Sequence, residues 1–143
     1  MKVDPHALFC IEVGAGHHVY VFVIYGYTGG HANKVQASRT SKIVRACTNK
    51  LDAHPQGPAA ICGDVNADVK DIPSLAKFIQ AQGWIDLGGS ARFWGRMDND
   101  FTCTTSNCSK PTRRDYVSVN PELLPLVTNF EVFTTTLIPH MLL

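Results

Sequence analysis

The chain has 143 residues, of which 45% are hydrophobic, 9% aromatic and 17% charged. That length suits one packed domain and is too short for two, and the mix excludes a disordered chain, a collagen-like repeat and a disulfide-dense scaffold. Thirteen basic against twelve acidic side chains leave +1, so overall charge neither selects nor rejects an anionic partner. In chain order, residues 7–13 and 18–25 are rich in β-branched and aromatic side chains and flank Gly14-Ala15-Gly16, a pattern that predicts a β-hairpin. Residues 32–53 carry a helical pattern with Ala37, Thr40, Val44, Cys47 and Leu51 on one stripe. Lys34, Arg39, Lys42, Arg45 and Lys50 occupy the opposite half, with no acid before Asp52. They read either as a solvated outer face or as a phosphate-tracking surface. Residues 58–62 are a short apolar run ending at Gly63-Asp64, the pattern of a buried strand running into a loop. Asp71 is placed to cap a helix over 73–82 that Gly83 ends. Beyond it the pattern predicts a short strand at 84–87 and a long loop at 88–100. Further strands are expected at 101–105, 116–119 and 129–135, with one or two helical turns at 121–127 and the opening of another strand at 141–143. Strands alternating with helices indicate an α/β layered fold, read as one unit over residues 1–143.

Five cysteines cannot all pair within the chain. Cys103 and Cys108, separated by four residues in a polar stretch, would bridge in an oxidising compartment, but the expectation is a reduced intracellular chain. The start of the chain has no basic flank followed by a continuous apolar run, so no secretory signal is expected. The longest apolar stretch, 19–24, falls far short of the ~20 residues of a membrane helix, so no membrane partner is expected. His6, His17, His18, His31 and His54 lack zinc-ligand spacing.

The stretch richest in chemistry is Ala60-Ile61-Cys62-Gly63-Asp64-Val65-Asn66-Ala67-Asp68. A hydrophobic strand there delivers an acid and an amide to its C-terminal end, the edge where α/β folds bind ligands. Asp64-x-Asn66-x-Asp68 matches the first half of an EF-hand loop, but Val69 stands at the glycine position and Leu75 at that of the bidentate glutamate. The calcium-loop reading fails. The other reading is a carboxylate that activates water beside an amide that donates to a phosphoryl oxygen. In this the chain resembles the endonuclease/exonuclease/phosphatase superfamily, the deoxyribonuclease I-like group, through Gly63-Asp64-Val65-Asn66 after a hydrophobic strand. Val23-Ile24-Tyr25-Gly26-Tyr27, Arg114-Asp115-Tyr116 and Pro139-His140-Met141-Leu142 match further family segments in the same order.

The resemblance implies the C-terminal part of a two-sheet α/β sandwich with helices outside, and a Mg²⁺-dependent phosphodiester or phosphoester hydrolase. It implies catalytic roles for five residues: Asp64 at the attacking water, Asn66 and Tyr25 as donors to phosphoryl oxygens, and His140 held protonated by Asp115. Asp64 is also the implied metal ligand. A nuclease is the leading expectation, with a retrotransposon-type endonuclease as one parent and nucleic acid or another phosphoester as substrate. Each also has a plainer reading: Asp64 and Asn66 suit a turn cap, Tyr25 a strand rim, Asp115 a neutraliser of Arg113 or Arg114, and His140 a frayed terminus. Arg92, Arg96, Lys110, Arg113 and Arg114 stand against only Asp98 and Asp100 over 88–114, a net +3. They read as a solvated loop or as steering for an anionic substrate, with Arg113 and Arg114 as the substrate-binding pair.

The chain also departs from the family pattern. The family's early strand with an asparagine, and the next strand ending in a metal-ligating glutamate, have no counterpart here. Pro139 replaces the aspartate before the final histidine, and Val23 an asparagine. Weak magnesium binding is therefore expected, as is an apolar sheet face left uncovered. The chain reads as a fragment of a longer protein, a domain completed by another chain, or an incomplete gene model, and the competing functional reading is a non-catalytic remnant or interaction fragment of this fold.

Overall fold

The computed structural model describes residues 6–53, 57–103 and 110–133. In it the hairpin forms, with β1 (His6–Glu12) antiparallel to β2 (His18–Tyr25), His6 opposite Ile24 and Glu12 opposite His18. Its turn depends on glycine: Gly14 and Gly16 adopt φ of 102° and 76°, left-handed values that penalise residues with a Cβ. The 20-residue helix α1 (Lys34–Ala53) then crosses back, so that β3 (Ala59–Asp64) joins β2 in parallel. Helix α2 (Pro73–Gln82) and the two-residue β4 (Ile85–Asp86) follow. Strand β5 (Asp115–Val119) inserts antiparallel between β3 and β4, giving the order β1-β2-β3-β5-β4.

Side chains alternate between the two faces of a sheet, and cross-strand partners share a face. Phe22, Ile24, Ile61 and Tyr116 point to the helix side and join Val44, Cys47, Leu75 and Phe78 in one core. The opposite face has a smaller cluster over β3 and β5, where Ala60, Leu87 and Val119 meet Trp94, Val127 and Phe130. Over β1 and β2 that face is open: Phe9, Ile11 and Val23 are 52%, 48% and 38% exposed.

Several sequence expectations change. Asp71 does not cap α2; it ends a 3-10 turn (Val69–Asp71), and Ile72 is the cap residue without a side-chain bond. Pro73 begins the helix, and its missing N–H removes one of the donors a cap would satisfy. The loop after β4 starts with a kinked 3-10 segment, Gly88–Trp94. Of the strand expected at 101–105, the described part makes a single bridge, Cys103 to Thr112. Among the described residues, 129–133 pair with no strand; Phe130 packs instead against Trp94, 6.2 Å between ring centroids, while Phe133 is exposed. The helical turns expected at 121–127 reduce to one 3-10 turn, Leu124–Leu126. The strand expected at 141–143 and the partner cysteine Cys108 lie outside the described residues. Among the described residues no helix is long and apolar enough to cross a membrane.

Candidate active site

Three residues singled out in the sequence fall in one row of the sheet. Tyr25 at the end of β2 is opposite Asp64 at the end of β3, and Asp64 is opposite Asp115 at the start of β5. All three belong to the face turned away from the helices, since their neighbours Ile24 and Tyr116 belong to the helix-side core. Tyr25 is 61% exposed, Asp115 is exposed and Asp64 is half-buried.

The strand ends are locked together by backbone contacts. Gly63 has φ of 140°, and a Cβ there would collide with the Ile24 carbonyl oxygen. Gly26 N–H donates to the Asp64 carbonyl at 2.6 Å, and Val65 N–H to the Arg114 carbonyl at 2.9 Å. Asn66 is the hinge of this arrangement. Its backbone, at φ of 53°, lets its N–H donate to Asp64 Oδ1 at 2.8 Å. Its Nδ2 donates to the Gly26 carbonyl at 3.1 Å, and its own carbonyl accepts His31 N–H at 3.0 Å. With only 4% of its surface exposed, Asn66 holds Asp64 and ties the ends of β2 and β3 together. On the other side, Thr102 Oγ1 accepts the N–H groups of Arg114 and Asp115, each at 3.0 Å. Nothing in the sequence pointed to Thr102, which lies 13 residues from Asp115.

Burial pushes the Asp64 carboxyl above its ordinary pKa, and the facing charge of Asp115 adds to the rise. The Asn66 N–H and the charge of Arg114 pull the other way, without cancelling the first two. Two carboxylates facing each other are hard oxygen donors of the kind magnesium uses, one or two at a time alongside water. Among the described residues no group of three His, Cys, Asp or Glu side chains is placed to hold a metal ion.

Other expected site residues lie elsewhere. Arg113, expected to bind substrate, is buried on the helix side of the sheet edge. Its Nη1 and Nη2 donate to Asp86 at 2.8 and 2.5 Å, Nη1 also reaches Asn99 Oδ1 at 3.1 Å, and the guanidinium sits 4.2 Å from the Tyr116 ring centroid. The carboxylate that neutralises it is therefore Asp86, not Asp115. A Cβ on Gly88 would overlap its Nη2, so the pocket is built around the guanidinium. Arg114 is half-buried, and its Nε donates to Thr112 Oγ1 at 3.1 Å. Arg92 pairs with Asp98 at 2.6 Å and Arg96 with Glu131 at 3.0 Å, so much of the loop's expected positive charge is neutralised. His140 lies outside the described residues. A cavity of about 690 Å³ opens beside Arg113, Tyr116, Phe101 and Ile79, away from the carboxylate row.

No protein-family model and no curated protein sequence matches the chain. Solved structures do. TDP2 of D. rerio, humanised by 14 mutations, is 15% identical, with a TM-score of 0.56 over 80% of this chain and 44% of that one. Truncated TDP2 of Caenorhabditis elegans is 14% identical, with a TM-score of 0.54 over 80% and 47%. An endonuclease/exonuclease/phosphatase family protein from Leptotrichia buccalis is 15% identical, with a TM-score of 0.51 over 82% and 42%. The chain thus spans less than half the length of each. Over that matched part, its five-stranded sheet with helices on one side shares the deoxyribonuclease I-like fold of these structures.

Proposed function

We propose that the chain is the portion of a divalent-metal-dependent phosphoester hydrolase that carries the water-activating carboxylate, and that its substrate is a nucleic-acid phosphodiester. The observation that carries this reading is the row Tyr25–Asp64–Asp115, in register across three strands. Asp64 takes the proton of the attacking water. Asn66 acts as a positioning residue, because its N–H fixes one Asp64 oxygen while its amide is engaged with Gly26. Tyr25, exposed at the end of the row, donates its hydroxyl to a phosphoryl oxygen. Asp64 and Asp115 would hold Mg²⁺, which when bound supplies Lewis-acid polarisation of the phosphoryl group.

The test is turnover of supercoiled plasmid and of bis(p-nitrophenyl) phosphate by the full chain with Mg²⁺. Asp64→Ala is expected to lower the rate about 10²–10⁴-fold, and chelation to abolish it. Absence of Mg²⁺-dependent turnover, or turnover that survives Asp64→Ala, refutes the proposal. A second reading, an interaction fragment of the fold, draws on the open apolar face at Phe9, Ile11 and Val23. It expects self-association without turnover.

A further inference from the structure

The sequence concentrates basic residues in two places, the 88–114 loop and α1, and the structure treats them differently. In the loop, Arg92, Arg96 and Arg113 each face a carboxylate. On α1, Lys34, Arg39, Lys42 and Arg45 are exposed, no acid interrupts the stretch from Lys34 to Lys50, and among the described residues none of these four has an ion pair. Lys34 opens onto a cavity shared with Asp71, which leaves Arg39, Lys42 and Arg45 as the core of the patch. They recur every third residue, climbing about 4.5 Å per step on an arc of roughly 120°. Ser38, Ala46 and Asn49 share this arc with one exposed apolar side chain, Val35, where insertion into a bilayer needs a whole face of them.

The start of this strip is tied to the chain segment that leaves the end of β2. The Arg39 guanidinium lies 5.5 Å from the centroid of the Tyr27 ring. Tyr27 stands two residues beyond Tyr25, is 42% exposed, and its N–H donates to Thr40 Oγ1 on α1 at 2.9 Å. The turn that opens α1 is bonded to the site through His31 N–H and the Asn66 carbonyl. We infer that the Tyr27–Arg39–Lys42–Arg45 face of α1 is a track for the sugar–phosphate backbone of a nucleic acid. It leads the strand to and from the row, and in this it rests on the hydrolase reading. A small phosphoester needs one pocket; a ladder of exposed cations, none ion-paired among the described residues, rising along a helix suits a polymer that releases counterions as each phosphate docks.

The experiment is fluorescence anisotropy of labelled duplex and single-stranded oligonucleotides with the full chain in EDTA, over about 50–200 mM salt. Binding is thereby read without chemistry. Arg39→Gln/Lys42→Gln/Arg45→Gln is expected to weaken binding about ten-fold or more at the lowest salt and to flatten the log–log salt slope by about two to three units. The variant should keep its circular dichroism and its turnover of bis(p-nitrophenyl) phosphate. Arg92→Gln/Arg96→Gln should bind within about two-fold of the parent. Unchanged affinity and slope in the helix variant overturn the inference, as does a parent chain that binds phosphatidylserine vesicles but neither oligonucleotide, or binds nothing. A parent that binds oligonucleotides through α1 but turns over no phosphoester keeps the track and removes the hydrolase reading.

Discussion

Ile24 and Tyr25 are consecutive residues on β2, yet one is sealed under the helices while the other stands in solvent. The same division runs through the sheet. The helix side gathers Phe22, Ile24, Ile61 and Tyr116 into a core with α1 and α2, whereas the opposite side buries little over β1 and β2 and carries the carboxylate row at its rim. Stability is thus vested in one face and candidate chemistry in the other, which lets the row hold a destabilising pair of carboxylates without endangering the core. The open side carries a corresponding liability, since exposed apolar surface on a sheet promotes association.

Truncating one large apolar residue on each face breaks or sharpens this contrast most directly. Phe22→Ala is expected to cost about 3–5 kcal/mol, because it removes a fully buried ring and leaves a cavity. Phe9→Ala, at a half-exposed site, should cost under about 1 kcal/mol. Urea denaturation monitored by tryptophan fluorescence reads both, and equal losses would mean that the outer face carries as much of the stability as the core.

The buried ion pair at the helix-side edge comes next. Arg113→Met leaves Asp86 without its guanidinium and is expected to cost about 3 kcal/mol. Arg113→Met with Asp86→Leu should recover most of that, since removing both charges also removes their desolvation penalty. A double variant no better than the single one would show that stacking on Tyr116 and the bond to Asn99 matter more than the charge pair. On the open face, Phe9→Thr/Ile11→Thr should change stability by less than about 1 kcal/mol while lowering self-association in sedimentation. Unaltered association would dissociate the open face from oligomer formation.

The elements that the sequence predicts well are those with local signals. Gly14 and Gly16 mark the hairpin, the apolar stripe from Ala37 to Leu51 marks α1, and Gly83, at φ of 65°, ends α2 as its position implies. The site was legible only as strand ends carrying polar residues. Whether Asp64 meets Asp115 depends on the register of β5 against β3 across about 50 residues of chain, and no local pattern encodes it. Counting charges over 88–114 missed that Asp86, 27 residues from Arg113, takes its guanidinium. The amide of Asn66 was visible as a donor, but its acceptor, the carbonyl of Gly26 40 residues away, belongs to the tertiary fold. Residues 129–133 misled because apolar alternation reports burial, which packing on Trp94 satisfies as well as strand pairing does.

The smallest expected effect addresses the carboxylate row itself. Burial and the facing Asp115 raise the Asp64 pKa in the folded chain. A carboxyl with a folded pKa above its unfolded value binds its proton more tightly in the native state, so its protonated form favours folding. That advantage is complete below the unfolded value, about 4, and is lost as pH rises through the folded one, beyond which the ionised group is a net burden. Asp64→Asn keeps an acceptor for the Asn66 N–H and removes the charge. It is therefore expected to raise the melting temperature slightly at neutral pH, with the gain shrinking as pH falls toward 3. Thermal melts across that range decide the sign. A variant that melts below the parent at pH 7 would mean that the attraction of Arg114 and the Asn66 bond outweigh burial, and that the row is built for stability on the same terms as the helix face.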